Sequence, residues 1–310
     1  MYPHCGSGTY RPGLLTPVLA LALVLLFIAE AAEGSERSEA ARVRSYWTAE
    51  RMESARPLDL VLGRDGEPRL RLATPTSPLA GASFAGVPTP TEPPYSANGR
   101  LFIRVGERRG YCSATAIDSP TRRLVLTAGH CVNEGGEFGG HRWYRDLLFV
   151  PAYSGEKRPF GAFPARRGKV FAPPQWTNHG NRDFDLGAFL TAPNQRGEAL
   201  ADAVGGGVAI ALERPRQQEY MTFGYPHKFR WMQTCTARYA RDDRYAFHFP
   251  GPPTFGVACQ WVPGASGGGW LIEDGTAING LNSYGLLGVL GTTYGPYFSR
   301  ETVGKLVAGL

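Results

Sequence analysis

The chain has 310 residues, of which 19% are charged, and its formal net charge is +6. The basic residues are scattered and form no block interleaved with aromatic residues, so nucleic-acid binding is not expected. With 40 glycines, 25 prolines and 12% aromatic residues, the composition is typical of a globular, turn-rich all-β protein.

The N-terminal segment has the layout of a secretory signal. Arg11 precedes an apolar run over Leu14–Ala29, and the run ends in the small-residue pattern Ala29-Glu30-Ala31. We predict a signal peptide over residues 1–31 and a secreted, extracellular protein. The alternative is an uncleaved membrane anchor, although the run is shorter than the roughly 20 residues that a span prefers.

Residues 32–97 differ in composition from the rest of the chain. The part up to Arg71 is charged and weakly apolar, and proline-rich stretches follow at Thr74–Pro78 and Val87–Pro94. Proline lacks a backbone donor and restricts φ, so neither strand nor helix is expected in these stretches. We predict an exposed pro-region, or leader; the alternative is a simple tether.

From Asn98 onward, short apolar runs alternate with clusters of Gly, Pro, Asn and Asp. The tail, Glu301–Ala308, is the one convincing helix, with Ser299 available as its N-cap. Many short strands and one closing helix predict a β-barrel or β-sandwich. The predicted strands are Leu101–Val105, Cys112–Ile117, Leu124–Thr127, Asp185–Leu190, Val208–Leu212, Tyr220–Gly224, Gln233–Arg238, Ala246–Phe249, Gly269–Ile272 and Ile278–Ser283.

The cysteines agree with export. Cys5 would be lost with the signal peptide, and an even set of four remains: Cys112, Cys131, Cys235 and Cys259. An even set in an exported chain suggests disulfides. Three pairings are possible, and sequence order favours Cys112–Cys131 and Cys235–Cys259. The alternative, a zinc site, lacks any C-x-x-C or H-x-x-x-H cluster, so we predict no metal.

Three segments supply the parts for acyl-transfer chemistry. Ser266 lies in the glycine-rich run Pro263–Trp270, where glycines allow backbone N–H groups to converge beside a projecting hydroxyl. His130 follows an apolar strand, and Asp185 begins another. A base, an orienting acid and a nucleophile in this order suit a catalytic triad. Asp183 is a rival for the acid, but the apolar strand begins immediately after Asp185.

These motifs resemble those of the chymotrypsin-like (trypsin-like) serine peptidases over roughly residues 98–310. The run Thr127-Ala128-Gly129-His130-Cys131 is similar to T-A-[AG]-H-C, and Gly264-Ala265-Ser266-Gly267-Gly268 is similar to G-D-S-G-G. The resemblance implies two antiparallel six-stranded β-barrels with a C-terminal helix and the triad in the cleft between the barrels. It also implies an oxyanion hole formed by the N–H groups of Gly264 and Ser266.

The resemblance also implies where substrate binds. The segment Asn282–Gly285 is similar to the S-W-G strand that pairs with substrate, which implicates Ser283, Tyr284 and Gly285, and Gln260 falls where the specificity pocket is built. Cys112 and Cys131 are similar to the family's histidine-loop disulfide.

The chain departs from the family at Ala265, which stands where an aspartate usually binds the N-terminus created by zymogen cleavage. Alanine cannot form that ion pair. We therefore expect the oxyanion loop to be ordered by packing and local hydrogen bonds. Cys259–Pro263 contains no Asp or Glu, so a preference for Lys or Arg substrates is not evident.

The expectation is a secreted serine endopeptidase, made as a zymogen, that cleaves protein or peptide substrates through an acyl-enzyme without a cofactor. Two alternatives stay open. One is a non-catalytic binding or regulatory protein on a protease scaffold, and the other is a membrane-tethered peptidase that retains the N-terminal apolar segment.

Overall fold

The computed structural model of the protein describes residues 33–62, 68–72, 84–136, 141–155, 157–227, 229–243, 250–286 and 288–310. The predicted signal peptide with Cys5, the Thr74–Pro78 stretch and the predicted strand Ala246–Phe249 lie outside these residues. No helix in the described ranges is long and apolar enough to cross a membrane.

The described elements are mostly short strands. The helices are α1 (33–46), α2 (Ala49–Glu53), α3 (Pro174–His179), α4 (Leu200–Val204) and α5 (Lys305–Val307). The strands are β1 (Arg56–Leu62), β2 (Pro68–Leu72), β3 (Ala85–Gly86), β4 (Asn98–Val105), β5 (Arg108–Ile117), β6 (Leu124–Thr127), β7 (Arg145–Pro151), β8 (Phe163–Phe171), β9 (Gly187–Thr191), β10 (Ala209–Ile210), β11 (Glu219–Gly224), β12 (Gln233–Asp242), β13 (Phe255–Val257), β14 (Gly269–Ile272), β15 (Ala277–Leu281), β16 (Tyr284–Leu286) and β17 (Thr293–Gly295).

The first barrel is a closed ring of six antiparallel strands. Their order around the ring is β4, β5, β6, β9, β8 and β7, and β7 pairs back to β4. Its interior is filled by large apolar side chains, among them Phe149, Phe163 and Phe189, all without solvent exposure. Because the ring is closed, the backbone N–H and C=O groups of each strand face a neighbouring strand.

The second barrel also has six antiparallel strands. Pairing runs from β14 through β11, β12 and β13 to β17. The sixth strand is β15 continued through residues 282–283 as β16, because β15 pairs with β14 and β16 pairs with β17. Phe255 and Trp270 meet edge to face in its core at 5.3 Å between ring centroids. The prediction of two six-stranded barrels with a C-terminal helix is confirmed.

The C-terminal helix begins at Arg300 and ends at Val307, each one residue before the predicted bound. The Ser299 hydroxyl accepts a hydrogen bond from the N–H of Thr302, which satisfies a free donor of the first turn. That first turn, Arg300–Gly304, is wider than an α-helix and continues into α5, which ends at Val307.

Several elements were not among those predicted. In β8 the charged residues Arg166, Arg167 and Lys169 obscure the alternation of a strand, and β13 has only three residues. Strand β7 carries the apolar run Leu147–Val150, which by itself indicates a strand. Helices α2 to α4 have five or six residues each, too few to show a helical period.

The described parts of the leader, 33–62, 68–72 and 84–97, are packed on the rest of the protein, contrary to the expectation of an exposed segment. Ala40 and Val43 of α1 and Trp47 just after it are buried, and this spacing places them on one helical face. The Trp47 indole N–H donates to the carbonyl oxygen of Asp146 in β7 at 2.6 Å, and its ring lies 5.4 Å from that of Phe102. Average composition hides this stripe because charged residues surround it.

The leader also adds strands to the barrels. Strands β1 and β2 form an antiparallel hairpin. The start of β1 pairs in parallel with β5, Pro57 opposite Tyr111, and its end pairs in parallel with β16, Leu60 opposite Tyr284. Strand β1 therefore connects the first barrel to the second.

Candidate active site

His130 and Asp185 form a tightly held pair between the barrels. His130 lies in a 3-10 turn, Gly129–Cys131, directly after β6. Its Nδ1 lies 2.8 Å from Oδ2 of Asp185, and its backbone N–H donates to Oδ1 of the same carboxylate at 2.7 Å. Because both carboxylate oxygens are engaged by one residue, the imidazole is fixed with Nε2 facing away from Asp185.

Two neighbours explain how the pair comes so close. A Cβ on Gly129 would lie 2.9 Å from Oδ1 of Asp185 and 2.9 Å from the ring of Trp176, so only glycine fits between them. Trp176 in α3 is fully buried, its ring centroid lies 6.4 Å from that of His130, and its indole N–H donates to the carbonyl of Asn133. The contact of Trp176 with His130 was not predicted from sequence, because no recognisable motif surrounds Trp176.

Asp185 was expected to be the first residue of a strand, and this prediction is wrong. It follows the 3-10 turn Arg182–Phe184, and β9 begins only at Gly187. The turn moves the carboxylate out of the barrel wall and toward His130. Asp183 points elsewhere: its Oδ1 accepts a hydrogen bond from the N–H of Thr254 at 3.2 Å. The structure thus pairs the histidine with Asp185 and not with its rival.

Asp183 lies in a buried polar cluster behind the cleft. The Arg182 guanidinium lies 3.8 Å from Asp243, whose Oδ2 accepts from the hydroxyl of Tyr284 at 2.5 Å. Burial raises the pKa of Asp183 to about 7, with a smaller contribution from the charge of Asp243, while the Thr254 N–H and Arg182 act in the opposite direction.

Ser266 lies next to the turn that carries His130, since Sγ of Cys131 is 3.8 Å from the Ser266 carbonyl oxygen. Segments from both barrels bind the loop of Ser266. Its carbonyl oxygen accepts from the N–H of Ser113 in β5 at 2.7 Å, and the N–H of Gly267 donates to the carbonyl of Asn282 at 2.7 Å. Among the described residues, Nε2 of His130 has no hydrogen-bond partner, so the structure does not join it to the Ser266 hydroxyl. In unliganded sites such bonds are often long and tighten only with substrate.

The oxyanion loop has a geometry that requires glycine. Gly264 has a φ of +99°, and a Cβ there would lie 2.5 Å from the carbonyl oxygen of Tyr225. The hydroxyl of Ser113 donates to the Gly264 carbonyl at 2.9 Å and accepts from the Tyr225 N–H at 2.9 Å. Within the described part of the chain, the N–H groups of Gly264 and Ser266 donate to no backbone carbonyl. Both donors are therefore available to a bound anion.

Asn282 supports the same loop and was not assigned a role from sequence. Its side-chain N–H groups donate to the carbonyls of Phe223 at 2.7 Å and Ala265 at 3.2 Å, and its Oδ1 accepts from the indole of Trp270 at 2.7 Å. Ala265 itself is buried, so close to Gly224 that a Cβ on that glycine would lie 2.6 Å away. Packing and local hydrogen bonds therefore hold the oxyanion loop, in place of the ion pair that the family resemblance implies at this position.

The residues expected to contact substrate lie along and beside β16. The Ser283 hydroxyl donates to Oδ2 of Asp185, and the Ser283 N–H donates to the carbonyl of Tyr294 in β17. Gly285 is exposed, and a Cβ there would meet nothing within 4 Å. Gln260 is only partly buried, and its Oε1 accepts from the N–H of Gly291 at 2.8 Å, so it braces a neighbouring loop.

Both disulfides favoured by sequence order are present, Cys112–Cys131 and Cys235–Cys259. They are compatible with an oxidising, extracellular location. The first links β5 to the turn that carries His130. Its two sulfurs and His130 form a cluster of potential metal ligands among the described residues, but disulfide sulfur offers no thiolate to a metal.

Comparison with solved structures identifies similar proteins. The protease Anisep from Arthrobacter nicotinovorans is 30% identical, with a TM-score of 0.60, over 69% of this chain and 96% of its own. The thermostable serine protease AL20 from an extremophilic microorganism is 29% identical, with a TM-score of 0.58, over 66% and 92%. A Glu endopeptidase, 17% identical over 73% and 95% with a TM-score of 0.59, shares the fold. No family model and no curated protein sequence matches the chain.

Proposed function

This chain belongs to the chymotrypsin-like serine protease family, and from that premise we propose that it is a serine endopeptidase whose activity lies in residues 98–310. We assign His130, Asp185 and Ser266 as its triad and the N–H groups of Gly264 and Ser266 as its oxyanion hole. The observation that carries the proposal is the double contact of Asp185 with His130, beside a serine whose loop offers two unused backbone donors.

The acylation step uses each group at a stated atom. Ser266 Oγ attacks the carbonyl carbon of the scissile peptide while its proton passes to Nε2 of His130. Nδ1–H of His130 donates to Asp185, whose negative charge stabilises the imidazolium. The N–H groups of Gly264 and Ser266 bind the oxygen that becomes negative, and each such donor contributes about 3–4 kcal/mol. His130 then protonates the departing amine as the tetrahedral intermediate collapses to an acyl-enzyme.

Deacylation reverses the roles. Water that enters after the amine leaves gives its proton to Nε2 of His130, and its oxygen attacks the acyl carbon. The second tetrahedral intermediate collapses when the same proton returns to Ser266 Oγ. The products are a free carboxylic acid and the restored serine, so neither a metal nor an organic cofactor enters the proposed cycle.

We further propose that the protein acts outside the cell on protein or peptide substrates. Two disulfides support this location, since such bonds persist in oxidising compartments. The signal-peptide prediction for residues 1–31 is consistent with it.

A fluorophosphonate reagent tests the proposal, because it reacts covalently only with an activated serine. Labelling is followed to completion by intact mass, and we expect one adduct per chain that disappears in Ser266→Ala. Ser119→Ala, in a turn after β5, is the matched control and keeps the adduct. If folded, disulfide-intact protein never forms a Ser266-dependent adduct, the catalytic proposal fails and the binding-scaffold alternative gains.

A further inference from the structure

Strand β1 of the leader crosses the cleft between the two barrels. At one end Pro57 pairs with Tyr111 of β5, and at the other end Leu60 pairs with Tyr284 of β16. Only two residues of β1, 58 and 59, lie between these pairings. Strand β16 pairs with β17 on its other side, so β1 takes the edge of β16 that a substrate backbone could extend.

The proposed catalytic groups lie between the same two pairing points. Ser113, two residues after Tyr111, binds the carbonyl of Ser266. On the other side, Asn282, two residues before Tyr284, binds the N–H of Gly267. A strand that connects Tyr111 to Tyr284 therefore spans the two segments that bind the nucleophile's loop. The burial agrees: His130 is 0% exposed and Ser266 is 6% exposed.

One side chain of β1 fills a pocket beside the proposed base. Leu60 is 0% exposed and packs in an apolar cluster with Trp176, Phe184 and Tyr284. Trp176 is the ring that lies against His130. A buried leucine at this position contributes free energy to the leader's association with the domain, since burial of such a side chain is worth about 1.5–3 kcal/mol.

The direction of β1 determines whether it could be cut. The proposed base must protonate the departing amine, and His130 belongs to the first barrel, next to β5 through the Cys112–Cys131 bond. The C-terminal part of a substrate therefore extends toward β5, and its N-terminal part lies along β16. Strand β1 runs the opposite way, from β5 to β16. A chain of this polarity does not present a carbonyl and a leaving amine in the order the site requires.

We propose that β1 is a built-in inhibitor strand that occupies the substrate cleft in reverse and is anchored by Leu60. This inference rests on the proposed function, whose site it keeps latent until the leader is released. The rest of the leader holds β1 in place: Arg42 of α1 pairs with the buried Asp146 of β7 at 2.5 Å, and Trp47 packs on Phe102.

The test compares intact chains that differ only in β1. Leu60→Asp places a carboxylate in an apolar pocket and should release the strand, whereas Arg56→Ala removes an exposed side chain of the same strand and is the matched control. Fluorophosphonate labelling is read by intact mass, so that unprocessed and processed chains are counted separately. Unprocessed Leu60→Asp should label at least about tenfold faster than the unprocessed parent, and Arg56→Ala should label as slowly as the parent.

A second measurement tests the proposal even if the Leu60→Asp variant does not fold. A synthetic peptide of residues 55–62 is added to the active Leu60→Asp chain or, if that variant does not fold, to chains that have lost the leader. It should inhibit hydrolysis competitively and stay uncleaved, while the same peptide carrying the Leu60→Asp change should not inhibit.

The outcomes separate the two proposals. Equal labelling rates for the unprocessed parent and folded Leu60→Asp overturn the latency of the leader and leave the enzyme proposal standing. Rapid cleavage of the added peptide overturns the reversed polarity. Failure of every species to label, processed chains included, overturns the proposed function itself.

Discussion

The side-chain amide of Asn282 donates a hydrogen bond to the carbonyl oxygen of Ala265 at 3.2 Å. This contact ties β15–β16 to the residue directly before the proposed nucleophile. The family resemblance associates this position with an aspartate that pairs with a new N-terminus, an ion pair that alanine cannot form. The oxyanion loop can therefore be ordered without an ion pair. The proposed role of the leader is then to control access to the cleft and not to order the loop.

Replacing Asn282 with alanine should loosen the oxyanion loop. The substitution leaves the carbonyls of Ala265 and Phe223 and the indole of Trp270 without their partner, and we expect a loss of about 3 kcal/mol in the free energy of unfolding. The value of kcat should fall more than KM changes, because the loop acts in the transition state. Denaturant unfolding and steady-state kinetics measure the two effects against a parent with the same leader.

Asn279→Ala is the matched control for this prediction. Asn279, in β15, is another buried asparagine, and its side chain donates to the carbonyl of Ala211 at 2.7 Å, away from the proposed active site. It should lower stability with little change in kcat. If both variants lose kcat equally, the effect of Asn282 is general destabilisation and not loop positioning.

Ser113→Ala should reduce turnover without weakening substrate binding. The hydroxyl fixes the Gly264 carbonyl and the Tyr225 N–H, and its loss frees the peptide next to one proposed oxyanion donor. We expect kcat to fall about tenfold, less than the roughly 10²–10³ that follows loss of a donor itself. Thr115→Val removes another buried hydroxyl of β5, one that donates to Asn98 of β4, and should leave kcat unchanged. An unchanged kcat in Ser113→Ala would show that the loop is held without this bond.

Asp185→Asn should nearly abolish hydrolysis in a folded protein. An amide NH₂ cannot accept from Nδ1–H of His130, so the imidazole would favour the wrong tautomer, and we expect kcat to fall by about 10⁴-fold. The rate of peptide hydrolysis measures this loss. Asp183→Asn, in the turn just before it, should keep most activity; the reverse ranking would identify Asp183 as the orienting acid.

Asp183 should make stability depend on pH. Its pKa is about 7 in the folded protein because it is buried, whereas an unfolded aspartic acid titrates near about 3.9. Between these values the folded state binds the extra proton, so the free energy of unfolding falls as the pH rises from about 4 to about 7. Asp183→Asn has no proton to lose, so its free energy of unfolding should rise relative to that of the parent across this window by an amount on the order of 4 kcal/mol.

Denaturant unfolding at several pH values tests this prediction. The difference between variant and parent should be constant below about pH 4, grow up to about pH 7 and level off above it. Asp118→Asn, at an exposed position after β5, should track the parent at every pH. A pH-independent difference for Asp183→Asn would mean that the carboxyl has the same pKa in the folded and unfolded states.

Much of the candidate site could be predicted from sequence because its chemistry is carried by short runs. The glycines around Ser266 and the small residues before His130 report local backbone requirements, which are readable without knowing the fold. The alternation of short apolar runs with turn residues likewise indicated a β-barrel or β-sandwich. The roles of Trp176 and Asn282 could not be predicted in this way, since neither residue stands in a recognisable motif for the contact it makes.

The amino-acid sequence by itself determined the all-β class, the residue types for acyl transfer and their order, because these depend on local conformation and short-range pattern. Only the tertiary structure decided that the leader folds and lies across the cleft. Strand β1 is specified by pairing partners about 50 and 220 residues away, and such long-range pairings leave no periodic trace in the leader itself. The same is true of the pKa of Asp183, which depends on what surrounds the carboxyl in space.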